Sequence, residues 1–206
     1  MKALLFDLDN TLVKFKHMFD FWEPHFRETL LSHGVKATER EAMRILTSGM
    51  INRMLSDLTI NIHAFWADFN IIDFEARKKG LETGEITLYE DAVPTLDSLR
   101  KEYLAIVSNT HLDCVMMEME YLGLSPYFRK VVAYTGKENP KPHPQLAYAA
   151  LDGRSFSQIF VIGDARADIL CGKAIGAKTI HIDRLGEKVE SDFRVRSLEE
   201  ILTLVN

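Results

Sequence analysis

Short apolar runs alternate with amphipathic helical patterns along most of this chain, and this alternation restricts the possible folds more than any other feature. The runs have the length and composition of buried strands; they are Ala3–Phe6, Leu104–Val107, Val131–Ala133, Ile159–Ile162 and Lys178–Ile182. Helical patterns separate the later runs, which is typical of parallel strands joined by crossover helices. The sequence therefore predicts an α/β fold, a doubly wound, Rossmann-like parallel sheet with helices on both faces.

A block of helical patterns interrupts this alternation directly after the first strand. Residues 16–84 contain apolar stripes at helical spacing and no convincing strand. One stripe predicts a helix across residues 42–54, and Thr38 with Glu41 makes a capping box before it. The residues of this stripe are Ala42, Ile45, Leu46, Gly49, Met50, Arg53 and Met54. We therefore predict an α/β core of residues 1–15 and 85–206 and an all-helical insertion of residues 16–84.

Polar residues that could bind a ligand or take part in catalysis follow the predicted strands. Ligands bind beyond the carboxyl ends of the strands in a parallel sheet, so residues at these positions are candidates for a site. They are Asp7 and Asp9 after the first strand, Ser108 and Asn109 after the second, Lys141 in the loop after the third, and Asp164 and Asp168 after the fourth.

The four aspartates of this set predict a metal site. Carboxylates gathered at one place repel one another unless a cation binds there. No His or Cys pattern accompanies them, and an oxygen-only set suits Mg²⁺, which takes one or two carboxylates, waters and a substrate phosphate. We therefore predict Mg²⁺ as the cofactor.

These residues fall into four motifs that resemble those of the haloacid dehalogenase-like superfamily. The stretch Phe6-Asp-Leu-Asp-Asn-Thr-Leu12 resembles the first motif, Asp-x-Asp-x-Thr after an apolar strand. The other three follow in order as Ile106-Val-Ser-Asn-Thr110, Lys141-Pro-His-Pro144 and Gly163-Asp-Ala-Arg-Ala-Asp168. The helical block after the first motif is similar to the helical cap of phosphoglycolate phosphatase-like members.

The resemblance implies catalysis through a covalent aspartyl-phosphate. Asp7 would be the nucleophile that attacks phosphorus. Asp9 would protonate the leaving alkoxide and then take a proton from the water that hydrolyses the intermediate. Lys141 would offset the negative charge on Asp7 and on the transferring phosphoryl group.

The resemblance also implies which residues bind phosphate and metal. Ser108 would hydrogen-bond a phosphate oxygen together with the backbone amide of Asn109. Mg²⁺ would bind the carboxylates of Asp7 and Asp164 and the backbone carbonyl of Asp9. Asp168, also assigned to the metal site, would orient a metal-bound water or Lys141.

Asp9 distinguishes branches of the superfamily. The dehalogenases carry a tyrosine at this position, because a halide leaving group needs no proton. An acid here therefore implies a phosphatase, and we expect small phosphorylated metabolites as its substrates. A phosphotransferase of the mutase type, which passes the phosphoryl group from Asp7 to a sugar, uses the same pair of aspartates and stays open as the alternative.

Other classes of protein agree less well with the sequence. The formal net charge of −5 argues against a nucleic-acid binder. The first apolar run ends at Asp7, too early for a secretory signal or a membrane span, so we expect a cytoplasmic protein that does not bind membranes. A signalling receiver domain would need neither the acid at Asp9 nor the helical insertion, and the P-loop pattern is absent from the sequence. The sequence does not predict the oligomeric state.

Overall fold

The main sheet of the computed structural model has six parallel strands. The structure describes residues 1–48, 50–184, 186 and 188–205, with the backbone alone at Met18 and Phe19. The strands are β1 (Ala3–Phe6), β2 (Val13–Phe15), β3 (Ile86–Leu88), β4 (Tyr103–His111), β5 (Lys130–Tyr134), β6 (Ile159–Gly163), β7 (Lys178–Ile182) and β8 (Phe193–Val195). The main sheet has the order β5-β4-β1-β6-β7-β8 with parallel pairing throughout, while β2 and β3 form a separate two-stranded sheet.

Nine α-helices lie within the described residues. They are α1 (Met18–Ser32), α2 (Glu39–Leu46), α3 (Ile51–Asp57), α4 (Ile62–Thr83), α5 (Ala92–Ser98), α6 (Leu112–Tyr121), α7 (Gln145–Leu151), α8 (Arg166–Ala174) and α9 (Ile201–Val205). Helices α6, α7 and α8 connect successive strands of the main sheet, as parallel pairing requires. Of the helices that the structure describes, none combines the length and the apolar composition needed to cross a bilayer.

Strand β1 lies at the centre of the sheet, and this central position explains why the strand is buried. All four of its residues are buried, so both of its faces pack against other elements. The cluster on one face includes Leu5, Ala105 and Val161 from the three central strands and Leu146 and Ala150 from α7. A parallel sheet covered on both faces has this uniformly apolar pattern. The predicted doubly wound α/β fold is confirmed.

The order of the strands reverses around β1. The chain places β4 and β5 on one side of β1 and β6, β7 and β8 on the other. A reversal of this kind leaves a crevice beyond the carboxyl ends of the strands next to it, where ligands bind in open α/β sheets. From the strand order, we therefore expect a functional site at the carboxyl ends of β1, β4 and β6.

The chain divides into two units. One contains Met1–Lys14 and Ile86–Asn206 and carries the main sheet; the other, Phe15–Glu85, is the helical unit. The two ends of the helical unit meet, because the N–H of Lys16 donates a hydrogen bond of 3.0 Å to the carbonyl of Glu85. The helical unit therefore has adjacent ends, as an insertion into another domain requires.

The helical unit has its own apolar core, and a capping box begins its second helix. Phe26, Phe65 and Phe69 are buried within a cluster contributed by its helices. The predicted capping box is present at the start of α2, where the side chain of Thr38 accepts from the N–H of Glu41 and the carboxylate of Glu41 accepts from the N–H of Thr38. These caps satisfy backbone groups that the first helical turn leaves without partners.

The single helix predicted across residues 42–54 is wrong, because the structure has two helices there, α2 and α3. The hydroxyls of Thr47 and Ser48 donate to the carbonyls of Met43 and Ile45 at the end of α2, and the Ser48 hydroxyl accepts from the N–H of Met50. Such side chain–backbone bonds compete with the helical ladder and end the helix. Gly49, part of the predicted stripe, lies outside the described residues.

Candidate active site

Strand register brings the predicted motifs to one edge of the main sheet. Phe6, the last residue of β1, pairs with Ile106 of β4 on one side and with Ile162 of β6 on the other. Residues that come one or two positions later on each strand therefore stand at nearly the same level. They are Asp7, Ser108 and Asp164.

The chain turns sharply after Asp7. The N–H of Leu12 donates to the carbonyl of Leu8 over 2.9 Å, which closes a tight loop. Asn10 takes a left-handed backbone conformation with φ of 55°, a region that Asn tolerates better than most residues. The turn keeps Asp9 near the end of β1 instead of letting the strand continue.

Lys141 joins two of the aspartates. Its Nζ lies 2.6 Å from Asp7 Oδ1 and 2.6 Å from Asp168 Oδ1, and it donates a third bond of 2.6 Å to the carbonyl of Val107. The side chain of Lys141 is only 4% exposed. All three hydrogens of the ammonium group are therefore directed at acceptors inside the protein.

Asn109 holds the backbone of Lys141. The side-chain oxygen of Asn109 accepts from the N–H of Lys141 over 2.7 Å, and its side-chain nitrogen donates to the carbonyl of Lys141 over 3.0 Å. This pair of bonds ties the loop after β5 to the end of β4. The side chain of Asn109 thus serves to position Lys141, whereas its backbone amide was the group predicted for phosphate binding.

Asp7, Asp164 and Asp168 form a cluster of carboxylates. Each offers one oxygen, and these three oxygens lie within 4.8 Å of one another. The side chain of Asp9 is not part of this group. Its Oδ2 accepts a hydrogen bond of 2.7 Å from the hydroxyl of Thr110. The structure therefore brings three of the four predicted aspartates together through their side chains.

Asp168 lies in the first turn of α8, and its carboxylate packs directly against Gly163. Its Oδ2 accepts from the N–H of Ala165 over 3.0 Å, while its Oδ1 contacts Lys141. A Cβ atom at Gly163 would lie 2.3 Å from Asp168 Oδ2, which is too close for any side chain. Gly163 is therefore needed for the position of Asp168, which accounts for the glycine in the Gly-Asp motif.

Residues 4–182 of the chain match the family described as haloacid dehalogenase-like hydrolase. The chain belongs to this family. It is therefore a hydrolase, and both the predicted family and the prediction of an enzyme are confirmed.

Relatives of this haloacid dehalogenase-like hydrolase carry phosphatase names. A pyrophosphatase PpaX of Bacillus pumilus is 28% identical over 225 residues, covering 100% of this chain and 96% of the relative. A phosphoglycolate phosphatase of Aquifex aeolicus is 26% identical over 185 residues, covering 87% of this chain and 83% of the relative. A crystal structure of a HAD phosphatase from Thermococcus onnurineus has a TM-score of 0.73 at 22% identity and covers 100% of this chain and 98% of that one. This structural likeness confirms the fold.

Burial and mutual repulsion shape the electrostatics of this hydrolase site. Burial raises the pKa of Asp7 to about 7, with Lys141 acting in the opposite direction and Asp168 adding to the rise. Burial, followed by the charges of Asp7 and Asp168, raises the pKa of Asp164 to about 9. For Lys141 burial alone lowers the pKa, but the carboxylates of Asp168 and Asp7 outweigh it and raise the pKa above its ordinary value. The three carboxylates would therefore carry more negative charge, when all are ionised, than the ammonium group of Lys141 balances.

The donor set fits Mg²⁺. Both carboxylate oxygens of Asp168 already have protein partners, one in Lys141 and one in the N–H of Ala165. Asp7 and Asp164 are therefore the carboxylates suited to bind a metal directly, and two carboxylates agree with the usual preference of Mg²⁺. A divalent cation would also relieve the repulsion that raises the pKa of Asp164.

Two side chains that contact this site were not predicted from the sequence. Thr110, directly after Ser108 and Asn109, donates to Asp9. His181, in the middle of an apolar strand, contacts the carbonyl of Asp164 through Nε2 over 2.9 Å. A hydroxyl near the second motif could have raised Thr110 as a candidate, but nothing local to residues 178–182 indicates what His181 contacts.

Proposed function

We propose that this protein is a Mg²⁺-dependent phosphatase that hydrolyses small phosphorylated metabolites through an aspartyl-phosphate intermediate. The observation that carries the proposal is the buried Lys141 ammonium between Asp7 and Asp168, with Asp164 in the same cluster. This arrangement supports the proposal, because phosphoryl transfer needs fixed positive charge beside the reacting groups, and here Lys141 lies beside the carboxylate of Asp7 at the switch point of the sheet.

Asp7 acts as the nucleophile in this proposal. A carboxylate oxygen of Asp7 attacks phosphorus, a bond forms between them, and the bond from phosphorus to the leaving oxygen breaks. Asp9 gives its proton to that oxygen, so that the product leaves as an alcohol. Water then attacks the aspartyl-phosphate and gives a proton to Asp9, which releases phosphate and restores both carboxyl groups.

Lys141, Ser108 and Asn109 bind and orient the phosphoryl group. Lys141 offsets negative charge on Asp7 and on the transferring oxygens, and it needs no rearrangement because its position is fixed by the bonds described above. The hydroxyl of Ser108 and the backbone amide of Asn109 are hydrogen-bond donors for phosphate oxygens. These contacts hold the phosphorus in line with Asp7.

The acid cluster holds the metal in this proposal. Mg²⁺, when bound, supplies positive charge beside the phosphoryl oxygens and reduces the repulsion between the phosphate and Asp7. Asp7 and Asp164 hold it through their carboxylates, and Asp9 through its backbone carbonyl. Asp168 stands behind them and fixes Lys141.

The helical unit, Phe15–Glu85, is proposed to be a cap that selects the substrate. Its adjacent ends, Lys16 and Glu85, are what an insertion into the α/β core would need. The relatives named above are phosphatases of small molecules by name, pyrophosphate and phosphoglycolate among them. A cap that closes over such a molecule would exclude water and fix its orientation.

A panel of phosphorylated metabolites, assayed with Mg²⁺, tests the proposed function. We expect release of inorganic phosphate from p-nitrophenyl phosphate and from at least one small metabolite, loss of this activity with EDTA, and its return with added Mg²⁺. Full activity in metal-free buffer would contradict the metal assignment. Isomerised sugar phosphate without free phosphate would favour the mutase-type reaction instead.

Replacing residues 16–84 by a short Gly/Ser linker tests the cap. We expect a folded protein by circular dichroism that keeps part of its activity on p-nitrophenyl phosphate and loses far more on the metabolite, because the linker supplies no contacts to it. Equal losses on both substrates in a folded protein would show that the helical unit supplies catalytic groups.

A further inference from the structure

His181 is a buried histidine that the proposed mechanism does not use. It lies on β7, pairs with Gly163 of β6 in the sheet register, and is 1% exposed. Its Nε2 stands 2.9 Å from the carbonyl oxygen of Asp164. Because a carbonyl oxygen can only accept, Nε2 must carry the hydrogen of this bond. The tautomer of His181 is therefore fixed by its contact with Asp164.

The peptide group between Asp164 and Ala165 is held from two sides. Its carbonyl accepts from His181, and its N–H donates to Asp168 Oδ2 over 3.0 Å. Since the peptide group is planar, a bond at one end restrains the direction of the other. His181 thus connects through one rigid plane to Asp168, and Asp168 in turn contacts Lys141.

We propose that His181 is a positioning residue that holds Asp164 and Asp168 in place for the divalent cation. The proposal rests on the proposed function, because it assigns His181 to the same metal site. His181 bonds the backbone of Asp164, so it fixes the position of this residue and not the rotation of its carboxylate. Loss of groups that support metal-binding residues without touching the metal lowers metal affinity by roughly 10–100-fold.

The other nitrogen of His181 argues against a role in packing alone. Its Nδ1 is buried and has no hydrogen-bond partner among the described residues. A buried polar atom without a partner lowers stability, and a leucine or phenylalanine would fill the same space without it. The bond from Nε2 to Asp164 is the contact that distinguishes histidine from an apolar residue at this position.

Isothermal titration of Mg²⁺ into the protein tests the proposal without relying on turnover. We expect His181→Leu to weaken Mg²⁺ binding by about tenfold or more. His181→Gln should bind Mg²⁺ close to wild type, because the glutamine side chain can place an N–H donor at a reach similar to that of Nε2. His181→Asn, whose amide is one bond shorter, should behave like His181→Leu.

Thr179→Val is the matched control. Thr179 lies on the same strand, is fully buried, and its side chain bonds Asp192 instead of the acid cluster. We expect this variant to lower the melting temperature, because Asp192 loses its hydroxyl partner, and to leave the Mg²⁺ affinity unchanged.

Three results would contradict the positioning role of His181 or the proposed function. Unchanged Mg²⁺ affinity in folded His181→Leu would overturn the positioning role. If His181→Leu does not fold, equal affinities of His181→Gln and His181→Asn would overturn it instead. A wild-type protein that binds no Mg²⁺ in the titration would overturn the proposed function, and this inference with it.

Discussion

The hydroxyl of Thr110 donates a hydrogen bond of 2.7 Å to Oδ2 of Asp9, across 101 residues of sequence. This bond restrains the rotation of the carboxyl group that we propose as the general acid and base. Thr110 also donates its own N–H to the hydroxyl oxygen of Ser108 over 3.1 Å. The end of β4 therefore restrains both the hydroxyl of Ser108, which we propose binds phosphate, and the orientation of Asp9.

Thr110→Val should impair proton transfer by Asp9. We expect kcat/KM on an alkyl phosphate to fall about tenfold, a part of the 10²–10⁴-fold that general acid–base catalysis contributes. Activity on p-nitrophenyl phosphate should fall much less, because nitrophenolate leaves without a proton. Thr110→Ser keeps the hydroxyl and serves as the control. The same loss on both substrates would mean that Thr110 does not act through Asp9.

Asp7→Asn should abolish turnover and leave the fold intact, because a neutral amide cannot attack phosphorus. We expect kcat to fall by at least about 10⁴-fold, as when other nucleophiles are removed. Asp57→Asn, at an exposed position in the helical unit, provides the control for the same chemical change. Phosphate release measured for both variants, beside circular dichroism, checks this, and substantial residual activity in Asp7→Asn would rule out the covalent mechanism.

Gly163→Ala should displace Asp168, since the added Cβ would lie 2.3 Å from its Oδ2. We expect a loss of roughly 1–3 kcal/mol in the free energy of unfolding, typical of an overpacked site, together with weaker Mg²⁺ binding. Gly172→Ala is a useful comparison, because its Cβ would meet Thr179 at 2.7 Å and not an acid. If both variants lose stability and keep the same Mg²⁺ affinity, the close approach at Gly163 has no role in the metal site.

The sequence predicts an element of the fold when the residues of that element carry a clear pattern of their own. The strand Ala3–Phe6 has the same bounds in the sequence prediction and in the structure, because an unbroken apolar run marks it. Strand β8, Phe193–Val195, was not predicted, since it is only 3 residues long and carries the exposed Arg194. Short strands of this kind depend on the neighbouring strand for their pairing.

In the candidate site, too, residues marked by a local motif were predicted, and residues that depend on the pairing of strands were not. Motif spacing indicates Asp7, Lys141, Asp164 and Asp168, and the structure brings these four together. The contact of His181 with Asp164 depends on the register between β6 and β7, which no local pattern encodes. Side chains that orient a site through the backbone of another strand therefore need coordinates to be found.

The helical unit contains a buried ion pair, and removal of either partner alone should destabilise the unit. Arg77 Nε lies 2.7 Å from Asp73 Oδ2, and the two side chains are 2% and 4% exposed. The Arg77 guanidinium also stacks on Phe15 and Trp22, at 5.1 Å and 5.5 Å from the ring centres. Removing one partner of such a pair leaves an uncompensated buried charge, which costs about 3–5 kcal/mol.

Arg77→Met should therefore destabilise the helical unit by about 3–5 kcal/mol. The double variant Asp73→Leu/Arg77→Met should recover most of this loss, because apolar side chains can replace a buried ion pair at little cost. Both tryptophans of the chain, Trp22 and Trp66, lie in the helical unit, so fluorescence during urea unfolding reports on this unit. A double variant as unstable as Arg77→Met would show that the stacking of the guanidinium on the rings, and not the pairing of charges, stabilises the helical unit.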